Sequence, residues 1–180
     1  MEPGEFIENF VDKKGKQITI RAIDLTDVND LMHNINELIE EDAFLMVNEK
    51  QSYLDEINFV TDKIQGLING DIAIVGVADG KVVAEADITR HRWRENTIGE
   101  FGIAIIKDYR NSGLGQELMK VILERAKKEN YRIIKLGVFE GNSSAKHLYE
   151  KMGFKVMGVL PKSALFKGKY IDEIYMYKEL

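Results

Sequence analysis

Apolar and polar residues alternate one by one in QITIRAI (17–23), the period of a strand that buries one face. The spacing then changes. In DLTDVNDLMHNINELIEED the apolar positions Leu25, Val28, Leu31, Ile35 and Leu38 recur every three or four residues, which predicts an amphipathic helix with Asp24 or Thr26 as its N-cap. A second helical stretch runs from about 52 to 69 and stops at Asn69-Gly70, a pair suited to the left-handed residue beyond a helix end. Two β-rich runs, 72–78 and 81–89, flank Asp79-Gly80 and predict a hairpin. After the polar loop RHRWREN, residues 97–106 read as a fourth strand and 131–139 as a fifth. Between them Leu114, Leu118, Val121 and Ile122 mark a helix that ends near Lys127 and Lys128. A shorter helix, 143–152, is closed by Gly153, and the last strands fall near 155–160 and 169–176. No linker, repeat or low-complexity stretch interrupts this order. It predicts one domain over residues 1–180, of α/β (α+β) class, with a mixed and mostly antiparallel sheet of about seven strands flanked by about four helices on its two faces.

Composition narrows the functional classes. The chain has 180 residues, 44% hydrophobic and 31% charged, enough for one well-buried core. No apolar run approaches the roughly 18–20 residues of a membrane span, and the start MEPGEFIENF is acidic, so neither membrane nor export signal is expected and the expected location is the cytoplasm. With no cysteine, disulfides, thiolate metal sites and a cysteine nucleophile are excluded. A net charge of −5 argues against nucleic acid as the main partner and suits a cationic substrate, although solubility explains it equally. His33, His91 and His147 have no paired spacing, so no metal site is expected.

The segment YRNSGLGQELMKVILERAKK carries the chemistry. Arg110-x-x-Gly113-x-Gly115 lies where a strand ends and a helix begins, and there each glycine costs about 0.5–1 kcal/mol relative to alanine. Backbone N–H groups and the helix dipole converge on an anion at such a place; glycine admits a phosphate closely, Ser112 offers a hydroxyl and Arg110 a charge. A strand-to-helix turn whose glycines only relieve crowding is the alternative. The segment lacks the Lys-Ser/Thr pair of a nucleoside triphosphate loop, and Leu118 stands where a dinucleotide fingerprint needs its third glycine.

GEFGIAIIKDYRNSGLGQELM, followed by GVFEGNSSAKHLYEKMGFKVMG, resembles the two signature motifs of the GNAT superfamily of acyl-CoA N-acyltransferases, and with the element order the resemblance spans nearly the whole chain. The resemblance implies acetyl-CoA as cosubstrate, its pyrophosphate on Arg110, Asn111, Ser112, Gly113, Leu114, Gly115 and Gln116. Its pantetheine would run like an added strand along Ile103, Ala104 and Ile105, in a splayed region beside a β-bulge. Asn142 and Ala145 of the second motif complete the expected cofactor contacts, Asn142 also as a helix cap. The ending KGKYIDEIYMYKEL resembles that of small-molecule and amino-acid acetyltransferases through Tyr170, Asp172 and Met176.

Amide formation from a thioester requires a neutral amine, oxyanion donors and a proton for the departing thiolate. Backbone N–H groups around Ile105 are the candidate donors. Tyr149 matches the family's tyrosine; with an ordinary pKa near 10 it is protonated at neutral pH and can donate to a thiolate of pKa about 8.5. As a residue alone it also fits a core stripe with Ala145, Leu148 and Met152. Glu100, which shares a strand face with Gly102 and Ala104, is the expected catalytic carboxylate; Glu85 and Asp87 share a face of the preceding strand, and a solvated surface explains any of the three equally. An α-amine loses its proton near pH 7 for about 1 kcal/mol, a lysine-like amine for about 4–5 kcal/mol. The weak base therefore favours an α-amine: an amino acid or analogue, or a peptide N-terminus, with a polyamine still open. Acceptor specificity is expected from the first two helices, from EDAFLMVNEKQSY between them and from the loop PKSALFKG, with Phe44, Tyr53 and Trp93 as wall candidates. Arg90, Arg92 and Arg94 either bind an acceptor carboxylate or form a solvated hairpin. An acyl-CoA-binding sensor without transfer activity is the rival reading, and an exposed final strand is a candidate homodimer contact.

Overall fold

The computed structural model describes residues 1–180. Its strands are β1 (Phe6–Val11), β2 (Gln17–Ala22), β3 (Ile72–Ala78), β4 (Lys81–Arg90), β5 (Ile98–Ile105), β6 (Ile133–Phe139), β7 (Lys155–Phe166) and β8 (Lys169–Glu179). Its helices are α1 (Val28–Glu40), α2 (Tyr53–Ile68), α3 (Leu114–Lys128) and α4 (Ser143–Lys151). All eight strands form one sheet in the order β1-β2-β3-β4-β5-β6-β8-β7. Every pair is antiparallel except β5 with β6.

Local chemistry starts the helices where expected. Asp24 accepts the Thr26 N–H and opens a single 3-10 turn, Leu25–Asp27, that leads into α1. Ser52 and Asp55 form a reciprocal capping box on α2. One face of the sheet carries α1 and α2, packed through Val28, Leu31, Val60 and Leu67 onto Ala73, Val75 and Val82. The opposite face carries the larger core, where Leu114, Leu118, Met119 and Ile122 of α3 and Tyr149 of α4 meet Ile20, Ile74, Ala86, Ile88 and Phe101.

Three expectations need correction. The sheet has eight strands, because FIENFV also forms one. This edge strand buries no residue fully, so its polar and apolar positions leave no clean period. Strand β7 continues to Phe166, which places most of PKSALFKG in the β7–β8 hairpin rather than in a loop; exposure of both its faces again removes the alternation. The final strand β8 is interior, between β6 and β7, so the exposed edge belongs to β7.

The single parallel pairing shapes the functional region. β5 and β6 are joined only through Ile98–Ile133, Gly99–Ile134 and Glu100–Lys135, and then they part. Beyond that point β6 stays paired with β8 and β5 with β4. The expected splay is therefore present, but the β4–β5 register runs unbroken from Arg90–Gly99 to Ala84–Ile105, with no bulge in β5. The only irregularity of β4 is its slip against β3 at Gly76 and Val77.

Candidate active site

Along β5 the backbone alternates between two neighbours. The Ile98 carbonyl accepts the His91 N–H and the Ile106 N–H donates to Val83, whereas the Thr97 carbonyl accepts from Arg132 and Ile133 on the β6 side. Odd-numbered residues thus turn their peptide groups towards β6, and past Glu100 those of Phe101 and Ile103 face a gap with no strand in it. An extended ligand could add there as a strand would.

At the open end of the gap lies the Arg110–Gln116 loop. Asn111 and Gly113 have φ of 58° and 93°, and Gly113 is the N-cap of α3. The N–H groups of Asn111, Ser112, Gly113 and Gly115 find no acceptor in the chain, an anion cradle made of backbone at a helix N-terminus. The two glycines have different reasons. Gly113 supplies the left-handed conformation, whereas a Cβ at Gly115 would lie 3.1 Å from Ile105 Cδ1 and 3.3 Å from Leu148 Cδ2. Gly115 thus relieves crowding where α3 meets β5 and α4. Two side chains expected on the phosphate turn elsewhere. Ser112 is buried and donates its hydroxyl to the Tyr109 carbonyl at 2.7 Å. Arg110 Nε donates to the Ile105 carbonyl at 2.9 Å, and its guanidinium is ion-paired with Glu41. Leu114 is fully buried as an anchor of the first turn, and Gln116 Oε1 accepts from Lys151 Nζ at 2.8 Å.

The turn between β1 and β2 supplies charges that the sequence reading did not assign. Asp12 accepts the N–H groups of Lys14 and Lys16, both at 2.8 Å, and folds VDKKGK into a tight turn. Lys13 N–H donates to the Ser112 carbonyl at 2.9 Å, and the Lys13 stem passes beside Gly113. The signal in the sequence was three lysines in four positions, but nothing local said which loop they would meet.

Where β5 and β6 part, Phe101 packs edge-on to Tyr149, with centroids 6.2 Å apart, and Phe154 lies on the other side of the phenol. Burial pushes the Tyr149 hydroxyl up to about 12, and it makes no hydrogen bond within the chain. The ring thus belongs to the core, as the stripe with Ala145, Leu148 and Met152 predicts, and the hydroxyl has no partner within the chain. Asn142 Oδ1 accepts the Ala145 N–H at 3.2 Å, so Asn142 caps α4 as expected. Ala145 is half-buried against the main core.

Two recesses, with no lining residue in common, lie along β4 and β5. The polar one is lined by Asp87, Thr89, His91, Glu100, Phe101 and Gly102. Glu100 is largely exposed there, with Oε2 3.6 Å from His91 Nε2, while His91 Nδ1 pairs with Glu95 at 2.8 Å. Asp87, opposite Gly102, is ion-paired with Lys63 of α2. The apolar recess runs under α1 and α2, with Phe59, Leu31 and Ala104 among its walls and Glu56 and Glu85 as its buried carboxyls. Burial, with the charges of Asp87 and Glu56 added, holds Glu85 well above the ordinary carboxylate range. Burial and the neighbouring Asp55 push Glu56 to about 7. Glu56 was not anticipated, yet it falls on the inward stripe Glu56, Val60, Lys63, Leu67 of α2; a charge on a buried helical face was the available signal.

The proposed wall residues fare differently. Phe44 stacks on Phe166, centroids 4.4 Å apart, and ties the α1–α2 connection to the β7–β8 hairpin. Tyr53 and Trp93 are exposed and line neither recess. Arg90 is committed to the carbonyls of Asn96 and Glu129 and stacks on Tyr131, so it cannot hold an acceptor carboxylate. No three His, Asp or Glu side chains are grouped as a metal would require, and no helix is long and apolar enough to cross a membrane.

The sequence profile of the acetyltransferase (GNAT) family matches residues 32–154. An L-amino acid N-acetyltransferase of Escherichia coli is 35% identical over 107 residues, 57% of this chain and 65% of that protein. An L-methionine sulfoximine/L-methionine sulfone acetyltransferase of Pseudomonas aeruginosa is 26% identical over 111 residues, 61% of this chain and 64% of that protein. The aligned stretch thus spans just under two thirds of these relatives. Among solved structures, an acetyltransferase of the GNAT family from Streptococcus pneumoniae superposes with a TM-score of 0.81 at 28% identity, over 91% of this chain and 99% of that one. A phosphinothricin acetyltransferase from Sinorhizobium meliloti, solved in complex with acetyl-CoA, has the same fold, with a TM-score of 0.81 at 19% identity over 91% of this chain and 88% of that one.

Proposed function

From the premise that this chain belongs to the acetyltransferase (GNAT) family, we propose that it transfers the acetyl group of acetyl-CoA to a primary amine by direct attack. The observation that carries this reading is the gap itself: unpaired β5 peptide groups at one end, a cradle of N–H groups without acceptors in the chain at the other, and Tyr149 packed on Phe101 where the strands diverge. The residues present suit the cosubstrate. Asn111, Gly113 and Gly115 would hold the diphosphate by backbone N–H groups, and Phe101 and Ile103 would hold the pantetheine as a strand. Asn142 Nδ2, free of any bond in the chain, is available to the same ligand.

Acetyl-CoA supplies an acetyl group activated as a thioester. Transfer forms one C–N bond and breaks one C–S bond; an acceptor ammonium loses two protons, one of which ends on the thiol. Glu100 takes the first proton through water and passes it by way of His91 towards solvent, along the polar recess that both residues line. N–H groups on the gap side of β5 stabilise the oxyanion. Tyr149 donates to the departing sulfur. Full proton transfer from a phenol near pKa 12 to a thiolate near 8.5 is uphill by about 5 kcal/mol, so its contribution is a hydrogen bond that strengthens as the sulfur becomes negative. The acceptor enters from the α1–α2 face; the names of the relatives favour an amino acid or analogue among the amines considered above.

Following thiol release from acetyl-CoA across amino acids, alkylamines, polyamines and peptides with free N-termini, with CoA binding measured by calorimetry, tests the reading. Turnover with an amine is expected; tight CoA binding without turnover on any of them would make the chain a sensor. We also propose a homodimer through the exposed β7 edge, where Val156, Val159 and Leu165 face solvent, to be checked by light scattering.

A further inference from the structure

The apolar recess contains acids and no base. Its polar lining consists of Asp55, Glu56, Glu85 and the amides of Asn34 and Gln51. Each amide nitrogen already donates once, Asn34 Nδ2 to the Val82 carbonyl at 2.7 Å and Gln51 Nε2 to the Glu49 carbonyl at 2.6 Å. No lining residue is a cation, and Lys63, Arg110 and Lys50 are paired elsewhere, with Asp87, with Glu41 and, at 2.6 Å, with Glu40. Glu85, by contrast, is only 9% exposed, and its buried Oε1 has no hydrogen-bond partner. It sits on β4 opposite Ala104, one pleat from the Asp87–Gly102 pair and next to the β5 residue, Ile103, whose peptide faces the gap.

A buried, unpartnered carboxyl aimed into an otherwise apolar recess is a receptor for a cation. Burial without a partner leaves the acidic forms of Glu56 and Glu85 favoured, and an ammonium brought between them would reverse that. An acceptor with a carboxylate beside its nitrogen is in the opposite position. That carboxylate would be desolvated beside three acids with no cation among the lining residues to balance its charge. Resting on the acetyltransferase reading above, but departing from the amino acid that the relatives' names favour, we infer that the acceptor is a small primary amine with an apolar body and no carboxylate next to its nitrogen, held as an ammonium by Glu85 and Glu56. Leu31, Ile35, Leu38, Val47 and Phe59 would enclose the apolar body.

Matched pairs that differ only by the carboxylate test this: 3-methylbutylamine against leucine, and phenethylamine against phenylalanine, assayed by thiol release at saturating acetyl-CoA. Each amine should exceed its amino acid in kcat/KM by about 100-fold or more. Glu85→Gln should raise KM for the amine by roughly 10- to 100-fold while CoA affinity by calorimetry stays within about twofold. If that variant does not fold, Glu56→Gln should show the same split with a smaller rise. Preference for the amino acids, or KM unmoved in the folded variant, overturns this inference and leaves the acetyltransferase reading intact. Failure to bind CoA, or to turn over any amine, overturns both.

Discussion

The two halves of the site are built from different material. On the proposed cofactor side the free groups are peptides: the unpaired edge of β5 and the N–H groups of the 111–115 turn, with Arg110 and Ser112 folded back as internal braces. On the proposed acceptor side the lining is side chains drawn from α1, α2, β4 and β5, and its buried carboxyls are held away from their ordinary ionisation. A ligand common to many proteins can be bound by backbone, which does not depend on side-chain identity. A ligand particular to one protein needs side chains, and those can change without disturbing the frame.

Damage to the backbone half should be the most severe. Gly113→Glu places a side chain at φ 93° and a negative charge within the cradle, and CoA affinity should fall beyond calorimetric detection, on the order of 10³-fold or more. Gly113→Ala separates the two causes, since a Cβ there meets only the Lys13 stem and Phe10 at 3.5 Å or more. Its loss should be smaller and reflect strain alone. Equal losses in the two variants would show that charge in the cradle is irrelevant.

The side-chain half should reveal itself in stability as well as binding. Glu56 is raised from 4.5 to about 7, so the folded state holds its proton more tightly than the unfolded state. Its favourable contribution is complete below pH 4.5 and is lost as pH rises to about 7, a change on the order of 3 kcal/mol. Glu56→Gln should remove that slope and be the more stable protein at pH 8. Urea unfolding at pH 5 and pH 8 measures it, and parallel pH dependence in both proteins would dismiss the buried ionisation.

Tyr149 stands between the halves. Tyr149→Phe keeps the ring contacts with Phe101 and Phe154 and removes only the hydroxyl, so CoA binding should persist while kcat falls on the order of 10²-fold. With the phenol protonated up to about pH 12, the loss should be the same at pH 6 and pH 9. Unchanged turnover would confine Tyr149 to the core.

The same division decided what could be read from the chain alone. The cradle and the splayed strand lie in two short, contiguous motifs, so their place was legible. What those motifs could not say was which way Ser112 and Arg110 turn, because Tyr109, Ile105 and Glu41 compete for them only after folding. Glu56 and Glu85 are 29 positions apart and come to line one recess only when α1 and α2 pack across β3 and β4. Strand β1 and the second half of β7 escaped notice for a simpler reason: neither has a buried face, so neither shows a period.

The turn that carries Lys13 marks the limit of a backbone-only cofactor side. Its peptide N–H donates to the Ser112 carbonyl, which fixes the turn against the cradle, and its stem crosses Gly113. A lysine so placed adds a mobile charge to a site whose geometry is set by peptide groups. Lys13→Ala keeps the N–H and removes the charge, so CoA affinity should fall by only about three- to tenfold, roughly 1 kcal/mol. That small loss should shrink as sodium chloride rises from 0.05 to 0.5 M, because an exposed charge is screened where buried peptide donors are not. Calorimetry across that salt range separates the two sources. An undiminished loss at high salt would mean that the alanine had disturbed the turn itself, and equal affinity throughout would leave the cradle to its backbone.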